Sequence, residues 1–203
     1  APVVQALPDD GIIRGGAQDG WFEDRGAYTG AVSMDMLRSV GCTHVLVGHS
    51  ERRSIFGDTD ALVGRKLRKA LNAGLVPVLC YGETLEERGE EKTFSVVRRQ
   101  LKEGLNNLTP DDIRHAIVAY EPVWAVGTGK TAAPAQAQEV HRFIRQLLAG
   151  LCGEDVAAAT PIIYGGSVTP GNIKGLMAET DINGVLAGGA SLDVESFTRI
   201  LQF

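Results

Sequence analysis

The sequence predicts an α/β protein in which parallel strands alternate with helices, as part of a (β/α)8 barrel. Short apolar runs recur along the 203 residues, and a helical pattern follows each of them. Most runs lack polar alternation, as expected for strands that are buried on both faces. Six runs qualify as strands, at residues 12–17, 44–48, 76–81, 116–121, 161–166 and 184–189.

The positions of the glycines favour a barrel over a doubly wound sheet. A doubly wound sheet normally has its glycine-rich phosphate turn after an early strand. Here the glycine-rich turns come late, at Gly165-Gly166-Ser167 and at Gly188-Gly189-Ala190-Ser191. A phosphate site behind the last strands is typical of a barrel. No proline-rich or serine-rich linker interrupts the chain, so we predict one barrel domain over residues 1–203.

Start and stop signals mark several helices between the apolar runs. The Thr-Pro-Asp-Asp stretch at 109–112 offers an N-cap, a first-turn proline and acids at the positive end of the helix. Thr-Pro at 169–170 repeats the first two features, and Pro134 is expected to open another helix. The helix after Thr59 should end at Gly74, because glycine favours the position after a helix C-terminus.

The first residues predict a barrel that is incomplete at its N-terminus. The stretch 1–4 (Ala-Pro-Val-Val) is expected to end a strand, and only residues 5–11 separate it from the strand at 12–17. A crossover between parallel strands needs a dozen or more residues. We therefore expect the β/α unit that precedes the strand at 12–17 to be truncated.

The composition argues against several classes of binding partner and indicates where the protein is located. The net charge is −5 at pH 7 and no basic stripe is present, which argues against nucleic acid and acidic membranes. The three cysteines are widely spaced without a CxxC pair, which favours reduced thiols and a cytoplasmic location. No run approaches the ~20 apolar residues of a membrane span, and no signal peptide is recognisable.

The stretch 119–130 is the strongest candidate for a catalytic element. Glu121 ends an apolar strand, and the carboxyl ends of parallel strands are where ligands bind. Pro122 stops the strand, and glycines at 127 and 129 follow an apolar segment. This arrangement predicts a mobile lid with a base at its root. The alternative is a strand-end glutamate beside a packed surface loop.

His49 is the second candidate. It follows the apolar run 45–48 and precedes Ser-Glu-Arg-Arg, which predicts the start of a helix. The positive end of a helix favours the neutral imidazole, which can donate a hydrogen bond to a developing oxyanion. The alternative is a histidine that only caps its own turn. His44, His115 and His141 have no ligand spacing and are interpreted as structural, so no metal is expected.

The late glycine pairs would let backbone N–H groups approach a phosphate closely, and Ser167 could add a hydroxyl group. Gly129-Lys130-Thr131 imitates the end of a P-loop, but the pattern GxxxxGK[ST] requires glycine where Trp124 stands. A nucleotide triphosphatase is therefore rejected.

Together the motifs resemble those of the triosephosphate isomerase family, from about Gly16 to the C-terminus. The resemblance rests on five segments in order: Gly26–Gly30 (GAYTG), 47–53 (VGHSERR), 120–130 (YEPVWAVGTGK), 164–168 (YGGSV) and 188–192 (GGASL). It implies a TIM barrel that interconverts dihydroxyacetone phosphate and D-glyceraldehyde 3-phosphate in glycolysis and gluconeogenesis, without a cofactor.

The resemblance also implies roles for individual residues. Glu121 would be the base that moves the proton, and His49 the neutral electrophile at the carbonyl oxygen. Phosphate would be held by Gly127, Ser167, Gly188 and Gly189. Two supporting residues are implied as well: Glu51, which matches the family's carboxylate beside the site, and Leu186, which matches an apolar wall that helps to desolvate the base. In this family the loop at 19–33 docks into a twin subunit with Thr29 near the partner's site, so we expect a homodimer that binds a small phosphorylated triose. The alternative is a surface loop that packs only against its own chain.

The chain departs from the family pattern in several places. Members of the family begin with a β/α unit that carries a catalytic lysine in an Asn-x-Lys segment. Nothing here matches that segment, so the resemblance implies that the first β/α unit is missing and the second truncated, and neither Lys130 nor Lys174 substitutes for the lysine. Gly15 and Asp19 stand where the family prefers a bulky apolar residue and an asparagine. Two alternatives therefore stay open beside the isomerase: a catalytically impaired fragment or scaffold form, and another barrel enzyme for sugar phosphates.

Overall fold

The computed structural model describes residues 2–8, 10–126 and 131–203. The strands are β1 (Gly16–Ala17), β2 (His44–Val47), β3 (Val76–Tyr81), β4 (Ile117–Tyr120), β5 (Ile162–Tyr164) and β6 (Gly184–Val185). The helices are α1 (Pro2–Gln5), α2 (Met34–Ser39), α3 (Ser50–Ser54), α4 (Asp60–Asn72), α5 (Leu85–Gly89), α6 (Thr93–Gly104), α7 (Pro110–Arg114), α8 (Pro134–Cys152), α9 (Glu154–Ala159), α10 (Ile173–Met177) and α11 (Val194–Leu201). Two 3₁₀ helices cover Val123–Ala125 and Gly189–Leu192.

These elements form two compact units. The first comprises Ala1–Cys80 and Lys102–Ile117, and the second comprises Tyr81–Leu101 and Val118–Phe203. Each unit is an α/β structure with parallel strands, in agreement with the predicted fold class. The division leaves the prediction of a single barrel domain over residues 1–203 untested, and the predicted incompleteness of the barrel also stays a prediction.

The first unit is built on the parallel ladder β1–β2–β3, in which Gly16 is opposite His44 and Val47 is opposite Leu79. Helix α4 supplies much of the core through its buried apolar stripe, which includes Val63 and Leu67. Its predicted ends are confirmed. The Thr59 hydroxyl accepts a hydrogen bond from the N–H of Leu62 at 3.2 Å, and Gly74 follows the helix with φ +71°.

The second unit is built on the parallel ladder β4–β5–β6, in which Tyr120 is opposite Tyr164 and Tyr164 is opposite Val185. Helix α8 begins at Pro134, as predicted, and buries Val140, Ile144 and Leu148. Because the three strands are parallel and in register, their carboxyl ends lie at one edge of the unit. That edge carries Glu121 and the two glycine-rich turns.

Two expectations about the N-terminal part were wrong. The stretch at 1–4 was expected to end a strand, but Pro2–Gln5 is a short helix, in which the N–H of Ala6 bonds to the carbonyl of Pro2. The strand expected at 12–17 contains only Gly16–Ala17, since Ile12 and Ile13 are 81% and 55% exposed. The N–H of Ile12 bonds to the side chain of Asp10 at 2.9 Å, and ladder pairing begins only at Gly16. Apolar character alone therefore predicted a longer strand than the one that forms.

His141 is a buried structural histidine of the second unit, as the sequence suggested. It lies beside the rings of Tyr120 and Tyr164 and is fully shielded from solvent. Its Nδ1 donates to the carbonyl of Asp181 at 3.1 Å, whereas Nε2 has no hydrogen-bond partner within the described ranges. Burial lowers the pKa of His141 to about 4, because a second N–H would be desolvated without an acceptor.

This burial predicts a measurable loss of stability in acid. An unfolded histidine binds its proton near pH 6.5, whereas folded His141 binds it only near pH 4, so its contribution is complete above pH 6.5 and is lost as the pH falls through that window. The loss amounts to about 3 kcal/mol between pH 7 and pH 4. Urea unfolding of wild type and His141→Asn at both pH values measures it as the difference between the two proteins.

The matched control is His115→Asn, since His115 is exposed. That variant should show the same pH dependence as wild type. An equal pH dependence in wild type and His141→Asn would contradict the prediction.

Candidate functional site

Glu121 is a buried carboxylate at the end of β4. Its side chain is almost fully shielded, with the residue 1% exposed. Its backbone N–H bonds to the carbonyl of Tyr81 at 2.8 Å. Two glycines clear the space around it: a Cβ on Gly165 would lie 2.7 Å from Cγ of Glu121, and one on Gly82 would lie 1.7 Å from its carbonyl oxygen. Neither position tolerates a side chain unless the backbone of Glu121 or its side chain moves.

A second buried carboxylate, Glu83, organises the residues on both sides of Glu121. Glu83 is fully shielded, and it accepts hydrogen bonds from the Tyr120 hydroxyl at 3.0 Å and from Nε1 of Trp124 at 3.0 Å. The guanidinium of Arg88 lies 3.0 Å from the same carboxylate and supplies the opposite charge. Burial and the neighbouring Glu83 charge raise the pKa of the Tyr120 hydroxyl well above its ordinary value, so it stays a donor.

Sequence reasoning missed Glu83. The signal was available, because Glu83 follows Gly82 directly after β3 much as Glu121 follows β4. It was overlooked because Thr84, Glu86 and Glu87 beside it form the start of α5, where acids are ordinary.

The segment after Glu121 has the apolar character predicted for a lid. Pro122 is buried, and a 3₁₀ helix at Val123–Ala125 follows, with Ala125 fully shielded. The indole of Trp124 bonds to Glu83 and lies 4.5 Å from the Arg88 guanidinium. The proposed phosphate-binding residue Gly127 lies outside the described residues, as does the second glycine at 129.

The remaining phosphate candidates follow β5 and β6 in the same unit as Glu121. Ser167 is half-buried, and its carbonyl accepts from the side-chain amide of Asn172 at 2.9 Å, which fixes the turn. Gly188 and Gly189 are exposed, and no atom lies within 4 Å of a Cβ added to either. Leu186 extends the β6 ladder through its N–H, which bonds to Tyr164 at 2.8 Å. These turns therefore present backbone next to open space at the strand ends.

His49 belongs to the first unit, where it caps α3. Gly48 precedes it with φ +77°, and a Cβ there would lie 2.8 Å from Val63 and 3.0 Å from the carbonyl of Cys80. Glycine is therefore required to turn the chain from β2 into α3. Nδ1 of His49 accepts a hydrogen bond from the N–H of Glu51 at 3.3 Å. His49 therefore does cap its own turn, which was the alternative interpretation of this residue.

The cap fixes the chemistry of the His49 ring. Because Nδ1 accepts, it carries no proton, and the proton of the neutral ring resides on Nε2. Desolvation lowers the pKa of His49, with the Glu51 charge acting in the opposite direction. The ring is therefore neutral at pH 7 and offers an N–H donor, which is what an oxyanion stabiliser needs.

Two other candidates lie at the surface of the first unit. Glu51 contributes its backbone N–H to the His49 cap, and the residue is exposed. Thr29 is exposed in the loop at 19–33, whose aromatic residues Trp21 and Tyr28 are in contact at 5.4 Å between ring centroids.

Within the described part of the chain, no group of three or more His, Cys, Asp or Glu side chains is arranged to hold a metal ion. Nor does any described helix have the length and apolar character needed to cross a membrane.

Comparison with known proteins gives a consistent result. The family model described as triosephosphate isomerase matches residues 2–203. Three curated relatives bear the name triosephosphate isomerase. The protein of Geotalea uraniireducens (strain Rf4) is 54% identical over 187 residues, which covers 92% of this chain and 74% of the relative. That of Roseiflexus sp. (strain RS-1) is 55% identical over 99% of this chain and 78% of the relative. That of Moorella thermoacetica (strain ATCC 39073 / JCM 9320) is 56% identical over 93% of this chain and 75% of the relative.

The geometry at His49 predicts its tautomer. Long-range ¹H–¹⁵N NMR on ring-labelled protein at pH 7 should show an unprotonated Nδ1 and a protonated Nε2, because the N–H of Glu51 occupies the Nδ1 lone pair. On acidification the ring should titrate below the ordinary value of 6.5. A protonated Nδ1 at pH 7, or titration at or above pH 6.5, would refute this assignment.

Proposed function

This chain belongs to the triosephosphate isomerase family, and we propose that it interconverts dihydroxyacetone phosphate and D-glyceraldehyde 3-phosphate by proton transfer through an enediolate, in glycolysis and gluconeogenesis. The observation that carries the proposal is the buried carboxylate of Glu121 at the end of β4, next to the glycine-rich turns of β5 and β6 in the same unit. The fold we propose is a (β/α)8 barrel in a single domain, supported by parallel strands alternating with helices.

Glu121 is the proposed base. A proton next to a carbonyl group is only weakly acidic, so its removal requires a strong and well-placed base. The burial of Glu121 and the fixed backbone around it support this role, because a desolvated carboxylate is a stronger base than a hydrated one. Leu186 is proposed as the apolar wall that keeps water away.

His49 is the proposed electrophile. Its neutral ring can donate a hydrogen bond from Nε2 to the oxygen on which charge develops. Because the ring is already neutral, it does not have to lose a proton before it takes this role. A glutamate base paired with a neutral histidine is the known division of labour in this family. Glu51 would assist through its backbone N–H, which holds the ring in this tautomer.

The phosphate of the substrate does not react, and its binding energy can hold the substrate and close the lid. Gly127, Ser167, Gly188 and Gly189 are the proposed phosphate contacts. Support comes from the two exposed glycines at 188 and 189, whose backbone faces open space.

The proposal predicts that Glu121→Gln abolishes turnover while the protein stays folded. The amide has nearly the shape of the carboxylate but cannot accept the proton, so kcat should fall by a factor of roughly 10²–10⁴. A coupled assay in both directions measures kcat and KM, with Glu154→Gln as a control because Glu154 is exposed. The control should retain wild-type turnover.

Two results would contradict the proposed isomerase activity. An inactive wild-type protein would favour the alternative of an impaired or scaffold form that lacks the catalytic lysine. Full activity in Glu121→Gln would mean that another residue is the base, as in a different barrel enzyme for sugar phosphates.

We also propose a homodimer in the cytoplasm. Support for the dimer comes from exposed apolar side chains at one stretch of the first unit, Tyr28, Val32 and Met36, which flank Thr29. Support for the location comes from the three cysteines, which are widely spaced in the sequence and form no CxxC pair.

The dimer proposal predicts a solution mass of twice one chain by light scattering. Val32→Asp should shift the protein toward the monomer, because it buries a charge in the contact. Val194→Asp is the matched control, since Val194 is 82% exposed on the second unit. A monomeric wild type would contradict the proposal.

A further inference from the structure

Gln100 is a polar side chain in the apolar stripe of α6. It stands at helical spacing with Val96, Val97 and Leu101, which are all buried. Gln100 itself is only 7% exposed. A buried amide is costly unless its polar atoms are hydrogen-bonded, and a hydrocarbon side chain would suit the stripe better. The reason for a glutamine at this position must therefore lie in its hydrogen-bond partner.

The partner of Gln100 is a backbone group next to the proposed base. Its Oε1 accepts a hydrogen bond from the N–H of Gly82 at 2.8 Å, and this contact is buried. Gly82 follows the last residue of β3. A buried backbone N–H needs an acceptor, because leaving it unpaired costs as much free energy as a lost hydrogen bond. Gln100 supplies that acceptor from 18 positions further along the chain.

Gly82 and Glu83 extend β3 beside Glu121, and we call these two residues the β3 extension. The N–H of Glu121 bonds to the carbonyl of Tyr81 at 2.8 Å, and the N–H of Val123 bonds to the carbonyl of Glu83 at 3.1 Å. A Cβ on Gly82 would lie 1.7 Å from the carbonyl oxygen of Glu121. The extension and the backbone of the proposed base are therefore in direct contact, so a shift of one displaces the other.

We propose that Gln100 is a positioning residue for Glu121: by accepting the N–H of Gly82 it fixes the β3 extension, and the extension fixes the backbone of the base. The inference rests on the proposed role of Glu121. It goes beyond that role because it assigns a function to a helix side chain that acts only through the backbone.

The test is Gln100→Met, which keeps the length of the side chain and suits the apolar stripe, but replaces the amide with a weakly accepting thioether. The N–H of Gly82 then loses its acceptor, so the β3 extension moves and carries the backbone of Glu121 with it. A misplaced base weakens transition-state binding more than ground-state binding. We expect kcat to fall about tenfold or more and KM to change less than about twofold.

A second readout does not depend on turnover. Trp124 donates from Nε1 to the carboxylate of Glu83 in the β3 extension, so a shift of the extension should displace the indole N–H resonance of Trp124 in NMR spectra. The chain has two tryptophans, and the indole of Trp21 in the first unit serves as the internal reference. Its resonance should not move in Gln100→Met.

Gln138→Met is the matched control. Gln138 belongs to α8 in the same unit, and its Oε1 also accepts from a backbone N–H, that of Asp181 at 3.0 Å. Its Nε2 donates to the Asp181 carboxylate at 2.7 Å, so the control removes at least as much hydrogen bonding. Asp181 precedes β6, at the opposite end of the strands from Glu121. Both variants should unfold at a lower temperature, but the control should keep wild-type kcat and an unmoved Trp124 resonance.

Gln100→Asn tests the same bond if Gln100→Met does not fold. It keeps an amide in the stripe but is one methylene too short to reach Gly82, so the same fall in kcat is expected. Every assay is run well below the unfolding temperature of the variant.

In an active protein, wild-type kcat or an unmoved Trp124 resonance in the Gln100 variant would overturn the inference, even with a lower unfolding temperature. An equal fall of kcat in Gln138→Met would overturn it as well. A wild-type protein without turnover would refute the proposed function instead, and the Trp124 resonance would still decide whether Gln100 fixes the β3 extension.

Discussion

The arrangement around Glu121 depends on a close approach of two backbone segments. A Cβ on Gly82 would overlap the carbonyl of Glu121, and the N–H of Glu121 bonds to the carbonyl of the residue before that glycine, Tyr81. Only glycine permits this spacing. Because the segments are so close, the residue after Gly82 can reach Tyr120 and Trp124 on either side of the proposed base. A single position without a side chain therefore determines where two buried carboxylates lie.

Both units surround their buried charged side chains with polar or oppositely charged partners. Glu83 is surrounded by a phenol, an indole and a guanidinium, and Lys66 is surrounded by two carboxylates. Each buried ion has nearby partners, because an unpaired one would be very costly in a medium of low dielectric. Exposed pairs such as Lys92–Glu90 contribute little by comparison. The charged side chains that fix the orientation of their neighbours are therefore those shielded from solvent.

The sequence predicted the order of the strands, both ends of α4 and the starts of α7 and α8, because buried strands and helix caps leave local signals. It also singled out Glu121 and His49, since chemistry-bearing residues directly after apolar runs stand out. It overstated the strand at 12–17, where Ile12 and Ile13 are exposed despite their apolar character. Apolar composition does not reveal whether a neighbouring strand is available for pairing.

What the sequence could not reveal were contacts between residues far apart in the chain. The bond between Glu83 and Trp124 spans 41 positions, and that between Asp19 and Lys66 spans 47. Neither pair has a recognisable spacing, so Asp19 was noted only as a departure from the family pattern and Glu83 was not noted at all. Such partners are identified only once the strands bring them together.

The cap at His49 couples the protonation of its ring to the first turn of α3. The lone pair that would accept a second proton is already engaged by the backbone of α3. Protonation of Nδ1 would therefore break this cap hydrogen bond. Protonation of the ring and loss of its hydrogen bond to the first turn of α3 are then a single event.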